Sequence, residues 1–194
     1  MSSGTGAARA LRTRQPRRKA TVDDLYHARE KAELVDGALL IMEPTGFLPG
    51  VAAGEIFASL RGYARRTRSG YAIPDNVAFL VRLPHRRSFS PDAAFYAGQP
   101  TGMRFLDGSP IFAAEVRSEA DYGARAERRL ARKRDDYFAA GTLVVWDVDL
   151  LGEDVVRVYR DGAPHSPRIY RRGDVAEAEP ALPDWRMPVD DLFP

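Results

Sequence analysis

The chain has 194 residues, 44% of them hydrophobic and 29% charged, with a formal net charge of +2 at neutral pH. This length suits one domain with a single sizeable core. No cysteine is present, which excludes disulfides, thiolate nucleophiles and cysteine-ligated metals, and His27, His85 and His165 are too scattered for a multi-histidine site.

The charge is unevenly distributed. Residues 1–19 hold Arg9, Arg12, Arg14, Arg17, Arg18 and Lys19 with no acid, whereas the remainder carries 27 acids against 23 bases. The expected organisation is therefore a basic, disordered arm over 1–19 and one acidic domain over 20–194. The arm fits three readings: a nucleic-acid contact, an arginine-rich transit peptide, or a plain disordered leader. No run approaches the ~20 apolar residues that a membrane helix requires, so a cytoplasmic protein is expected. Of the 29 basic residues only Lys19, Lys31 and Lys133 are lysines. Arginine abundance can reflect nucleotide bias, which makes a persisting lysine informative.

Thr21, followed by Val22-Asp23-Asp24, predicts an N-cap and a short helix to about Ala28. Lys31–Val35, Asp36-Gly37 and Ala38–Met42 predict a hairpin. Val51, Ile56, Leu60 and Tyr63 predict an amphipathic helix over about 50–67, stopped by Gly70. Strands are expected over 76–83, 88–96 and 110–117. A long helix over about 122–140 should end at Gly141, which suits a C′ position. Strands over 142–148 and 155–160 read as hairpin partners. The tail from Gly173 is rich in proline and acids, with Trp185 and Phe193 as expected anchors. The order of elements points to an α+β or mixed α/β fold.

Nucleophile-elbow, Walker A and Rossmann signatures are absent. What stands out is a set of acids inside apolar strands. Asp92 lies in Phe89-Ser90-Pro91-Asp92-Ala93-Ala94-Phe95, and Glu115 in Ile111-Phe112-Ala113-Ala114-Glu115-Val116-Arg117. Strand alternation puts Glu115 and Arg117 on one face with Ile111 and Ala113, and Phe112, Ala114 and Val116 on the other. A carboxylate there is costly unless it is paired or binds a cation. Taken singly, each acid is better read as a salt-bridged or strand-end residue. On the long helix, Lys133 lies about 60° from Leu130 and Tyr137 about 20°, so the lysine falls on the apolar stripe. It could snorkel there. Taken together, the three side chains suit a hard-metal phosphodiesterase site: two carboxylates for Mg²⁺ and an ammonium for the attacking water or the developing negative charge.

Several stretches also resemble the Uma-two family of restriction-endonuclease-like proteins, a branch of the PD-(D/E)XK nuclease fold. They are Ala32-Glu33-Leu34-Val35-Asp36-Gly37, Pro44-Thr45-Gly46-Phe47, Ser90–Phe95, Ala114–Ser118, Lys133 with Tyr137, and the closing segment Ala181–Pro188. The resemblance spans about Thr21 to Phe193. It implies a mixed β-sheet flanked by helices and a DNA endonuclease using Mg²⁺ (or Mn²⁺) held by Asp92 and Glu115. It further implies Glu33 as an additional acid at the site, Lys133 as a catalytic lysine carried on the helix, and a possible homodimer. Arg117 stands where the wider fold keeps its lysine, as a phosphate contact or a bystander. Two departures stand out: Pro49 replaces a customary histidine, and Ser118-Glu119-Ala120-Asp121 replaces Ser-Pro-Ser-Asp. A catalytically inactive nuclease-fold module that binds nucleic acid or a protein partner is the alternative expectation.

Overall fold

The computed structural model describes residues 18–194 together with the backbone of 13–14. The strands are β1 (Thr13–Arg14), β2 (Ala32–Val35), β3 (Ala38–Ile41), β4 (Tyr71–Pro74), β5 (Phe79–Leu80), β6 (Ser88–Phe89), β7 (Ala93–Tyr96), β8 (Leu106–Asp107), β9 (Phe112–Val116), β10 (Val144–Val148), β11 (Val156–Arg160), β12 (Ala163–Tyr170), β13 (Val175–Ala178) and β14 (Leu182–Pro188). The helices are α1 (Val22–Tyr26), α2 (Phe47–Thr67) and α3 (Ala124–Ala139).

The central sheet runs β12-β11-β10-β9-β7-β4, with β9 and β10 parallel and the other neighbours antiparallel. α2 lays Ala52, Ile56, Leu60 and Tyr63 on one face of it, against Phe95, Phe112, Ala114 and Val116, with Trp146 and Trp185 in the same core. On the other face, Tyr137 of α3 packs with Phe79, Phe89, Ala94, Ala113 and Val145. Alternation along β9 thus sends Phe112, Ala114 and Val116 under α2 and leaves Glu115 with α3, as the pattern requires.

Local chemistry explains most boundaries. Thr21 caps α1 in a capping box with Asp24. Asp36 and Gly37 both adopt positive φ, 52° and 74°, as a two-residue hairpin turn of the primed kind demands. Gly141, at φ 100°, ends α3.

Other expectations need correction. Arg68, at φ 56°, and not Gly70, closes α2. Gly70 is instead required because a Cβ there would lie 2.4 Å from the Tyr96 carbonyl oxygen. The strand expected over 88–96 breaks into β6 and β7 around Pro91, which has no N–H to give a ladder. The expected 76–83 strand shrinks to β5. The tail forms the β13–β14 hairpin, where Trp185 is buried against Trp146, ring centroids 4.9 Å apart, and donates its indole N–H to Ser59. Strands β4 and β12 had no periodic signal strong enough to predict them.

Most of the expected basic arm lies outside the described residues. β1 pairs with β3, and Arg18 makes a two-point ion pair with Asp24 of α1.

Candidate active site

Of the five residues singled out by sequence, Glu33 of β2, Glu115 of β9 and Lys133 of α3 meet directly, and Asp92, just ahead of β7, is near enough for its charge to act on Glu115. Glu115 leaves β9 toward α3, where its carboxylate accepts hydrogen bonds from Lys133 Nζ at 2.7 Å and from the Tyr137 hydroxyl at 2.6 Å. The helical period that set Lys133 and Tyr137 one turn apart on one stripe makes this double contact possible. Lys133 Nζ also lies 2.8 Å from Glu33 Oε1. The ammonium is therefore held between two carboxylates, with its side chain 13% exposed. Tyr137 is fixed in turn by stacking on Phe89, centroids 4.0 Å apart.

Asp92 occupies the break between β6 and β7. Its Oδ2 accepts the backbone N–H of Val116, the residue after Glu115, at 2.8 Å. Its Oδ1 accepts from Lys31 Nζ at 2.7 Å, and Lys31 Nζ lies 2.5 Å from Asp75 Oδ1. Asp92 and Asp75 line a cleft of about 180 Å³ between the end of the sheet and the first turns of α2, with Thr45, Pro49, Gly50 and Val116.

Glu33 is almost completely buried. It accepts from the Ser90 backbone N–H at 2.9 Å and from Arg86 Nη1 at 2.5 Å. Arg86 continues to Asp136 through Nε at 2.7 Å, and His85 Nε2 lies 2.6 Å from the other Asp136 oxygen. Sequence reasoning missed Lys31, Asp75, Arg86 and Asp136. Lysine scarcity could have pointed to Lys31 as it did to Lys133. Nothing local marks the other three, whose partners are distant in the chain.

Arg117 is not part of this cluster. Its guanidinium is engaged by both Asp147 oxygens, at 2.7 and 2.8 Å, and by Glu127.

The electrostatics separate the two neighbouring glutamates. Burial pushes the Glu115 carboxyl up from its ordinary value of 4.5 to about 7; Lys133 opposes the rise while the charges of Asp92 and Glu33 add to it. Burial also pushes Glu33 up, but Lys133, Arg86 and the Ser90 N–H outweigh it and hold that carboxyl at about 2. Folded Glu115 thus retains a proton that the unfolded chain gives up between pH 4.5 and 7. The native state binds more protons there, so its stability falls as pH rises through that window. Thermal melts of the metal-free protein should lose stability from pH 5 to pH 8, by up to about 3 kcal/mol from this group. Glu115→Gln should flatten that dependence; a variant as pH-sensitive as wild type would contradict the assignment.

Within the cluster, Asp75, Asp92, Glu115, Glu33 and Asp136 face Lys31, Lys133 and Arg86, which leaves a formal excess of two negative charges. Among the described residues, no three Asp, Glu or His side chains form a closed metal cage. Hard carboxylate oxygens beside an open cleft, with net negative charge, nevertheless suit Mg²⁺, which binds through one or two carboxylates and keeps several waters. Carboxylates are the donors such an ion takes; Asp92 opens onto the cleft, while the Glu115 oxygens are engaged by Lys133 and Tyr137.

The model of the Uma2 family, described as "Putative restriction endonuclease", matches residues 20–190. A crystal structure of a "putative nuclease belonging to DUF820" from Anabaena variabilis aligns with a TM-score of 0.70 and 15% sequence identity, over 89% of this chain and 97% of that one. That likeness establishes the fold, a mixed sheet with flanking helices, as the resemblance implied. No curated protein matches the chain. No helix among the described residues is long and apolar enough to cross a membrane.

Proposed function

Since the chain belongs to the Uma2 family, whose description is "Putative restriction endonuclease", we propose that it is a divalent-metal-dependent DNA endonuclease of the PD-(D/E)XK type. Asp92 and Glu115 hold the ion, Mg²⁺ or Mn²⁺, and Lys133 is the catalytic lysine. The convergence of Asp92, Glu115, Glu33 and Lys133 from separate elements onto one carboxylate and ammonium cluster supports this most directly.

The bound ion would supply Lewis-acid neutralisation of the phosphate and a more acidic attacking water. The chain's own residues do the rest. Glu33, fixed by Arg86 and the Ser90 N–H, positions the Lys133 ammonium. That ammonium lies against Glu115 and faces the negative charge that builds on the phosphate. Tyr137 holds the second Glu115 oxygen and so sets the plane of the carboxylate. The Val116 N–H does the same for Asp92. Arg117 acts by bracing β9 and β10 through Asp147.

Calorimetric titration with Mg²⁺ and Mn²⁺ tests this reading, together with a cleavage assay on plasmid and linear DNA. Divalent-dependent cutting is expected, abolished by EDTA, with metal affinity at least about tenfold weaker in Asp92→Ala because one of two charged ligands is gone. DNA binding that survives EDTA, without metal uptake or cutting, would instead assign a non-catalytic binding module.

A further inference from the structure

Lys31 sits where a cation bound to Asp92 would sit. Its Nζ lies 2.7 Å from Asp92 Oδ1 and 2.5 Å from Asp75 Oδ1, with the side chain 16% exposed. The chain carries three lysines, and two of them occupy this cluster, each on one of the two candidate ligand carboxylates. Each is also shared with a second acid: Lys133 with Glu33, Lys31 with Asp75.

The two units differ in one respect. Glu33 is 1% exposed and locked by Arg86, whereas Asp75 is 42% exposed and forms part of the cleft wall. Lys31 therefore has a second partner that stays accessible when Asp92 is taken from it.

We propose that Lys31 is the resident counter-cation of Asp92, which a divalent ion must displace, and that Asp75 is the carboxylate that then retains it. Lys31 is thus a positioning residue that sets how much divalent metal the site needs. The inference rests on the reading of Asp92 as a metal ligand. Two cations in contact with one carboxylate repel strongly, so ammonium and metal compete for Asp92 Oδ1. An arginine in this position would present a wide, planar fork; the compact ammonium can pivot from Asp92 to Asp75. In the metal-free protein the same ammonium keeps Asp92 and Asp75 from repelling each other.

The test is Mn²⁺ binding by calorimetry at constant pH on wild type, Lys31→Met, Lys31→Gln, Lys31→Arg and Asp92→Ala, each checked for folding by circular dichroism. Removing the resident charge should tighten Mn²⁺ binding about tenfold or more in the Met and Gln variants, whichever of them folds. Lys31→Arg, which keeps the charge on a fork that cannot pivot in the same way, should bind Mn²⁺ no more tightly than wild type. Unchanged or weaker binding in the neutral variants, with binding still lost in Asp92→Ala, would overturn the inference and leave the ligand assignment standing. Equal binding in wild type and Asp92→Ala would overturn both.

Discussion

Lys133→Ala is expected to reduce single-turnover DNA cleavage by roughly 10²–10⁴-fold, the range typical of losing one positioned proton-transfer or charge-stabilising group. Lys133 Nζ is 2.7 Å from Glu115 and 2.8 Å from Glu33, so truncation also leaves two carboxylates facing each other. Some loss of stability will accompany the loss of rate, and rates should be compared well below the melting transition. Lys133→Arg separates the two effects. If the lysine merely neutralised its neighbours, a guanidinium would restore both melting temperature and cutting. A catalytic ammonium requires a compact point charge in a slot only 13% exposed, which a planar fork cannot reproduce. The arginine variant should therefore melt closer to wild type than the alanine variant and still cut slowly. Cleavage at the wild-type rate in Lys133→Arg would refute the catalytic role.

Arg86→Ala should have the largest effect on stability. The guanidinium bridges Glu33 and Asp136, and the three side chains are 6%, 1% and 6% exposed. It also lies over the Phe89 ring, 4.8 Å from the centroid. Removing one member of a buried ionic group leaves uncompensated charge and costs about 3–5 kcal/mol. For a chain of this size that corresponds to a fall of roughly 6–20 °C in melting temperature. Because Glu33 would then lose one of the groups that hold it ionised, its carboxyl should move up, and Lys133 would lose a fixed anchor. A melting temperature within about 2 °C of wild type would show that Arg86 is not the support of Glu33, since that shift is within about 1 kcal/mol for a chain this long.

Particular elements show what was legible in the sequence. The inward placement of Glu115 and Lys133 followed from strand alternation and the helical period, and the structure sets both side chains against each other. The Asp36-Gly37 turn and the Thr21 cap were also readable, because a positive φ and an unpaired helix N–H are requirements that neighbouring residues meet. β4, by contrast, runs half-exposed along a sheet edge and has no alternation to detect. The splitting of 88–96 at Ser90-Pro91-Asp92 is masked by strand-like residues on both sides, Phe89 and Ala93-Ala94-Phe95. Yet this break is where Asp92 gains the Val116 N–H.

By itself, then, the sequence determined the faces, that is, which residues of β9 and α3 point toward the site, together with the Thr21 cap and the Asp36-Gly37 turn. These depend on backbone periods that act over a few residues. Only the tertiary structure decided which charge meets which. Lys31 finds Asp92 across 61 residues, Arg86 finds Glu33 across 53, and Asp136 finds Arg86 across 50. No local period encodes such a pairing, because it forms when separate elements pack and each buried charge must find a partner or remain in water.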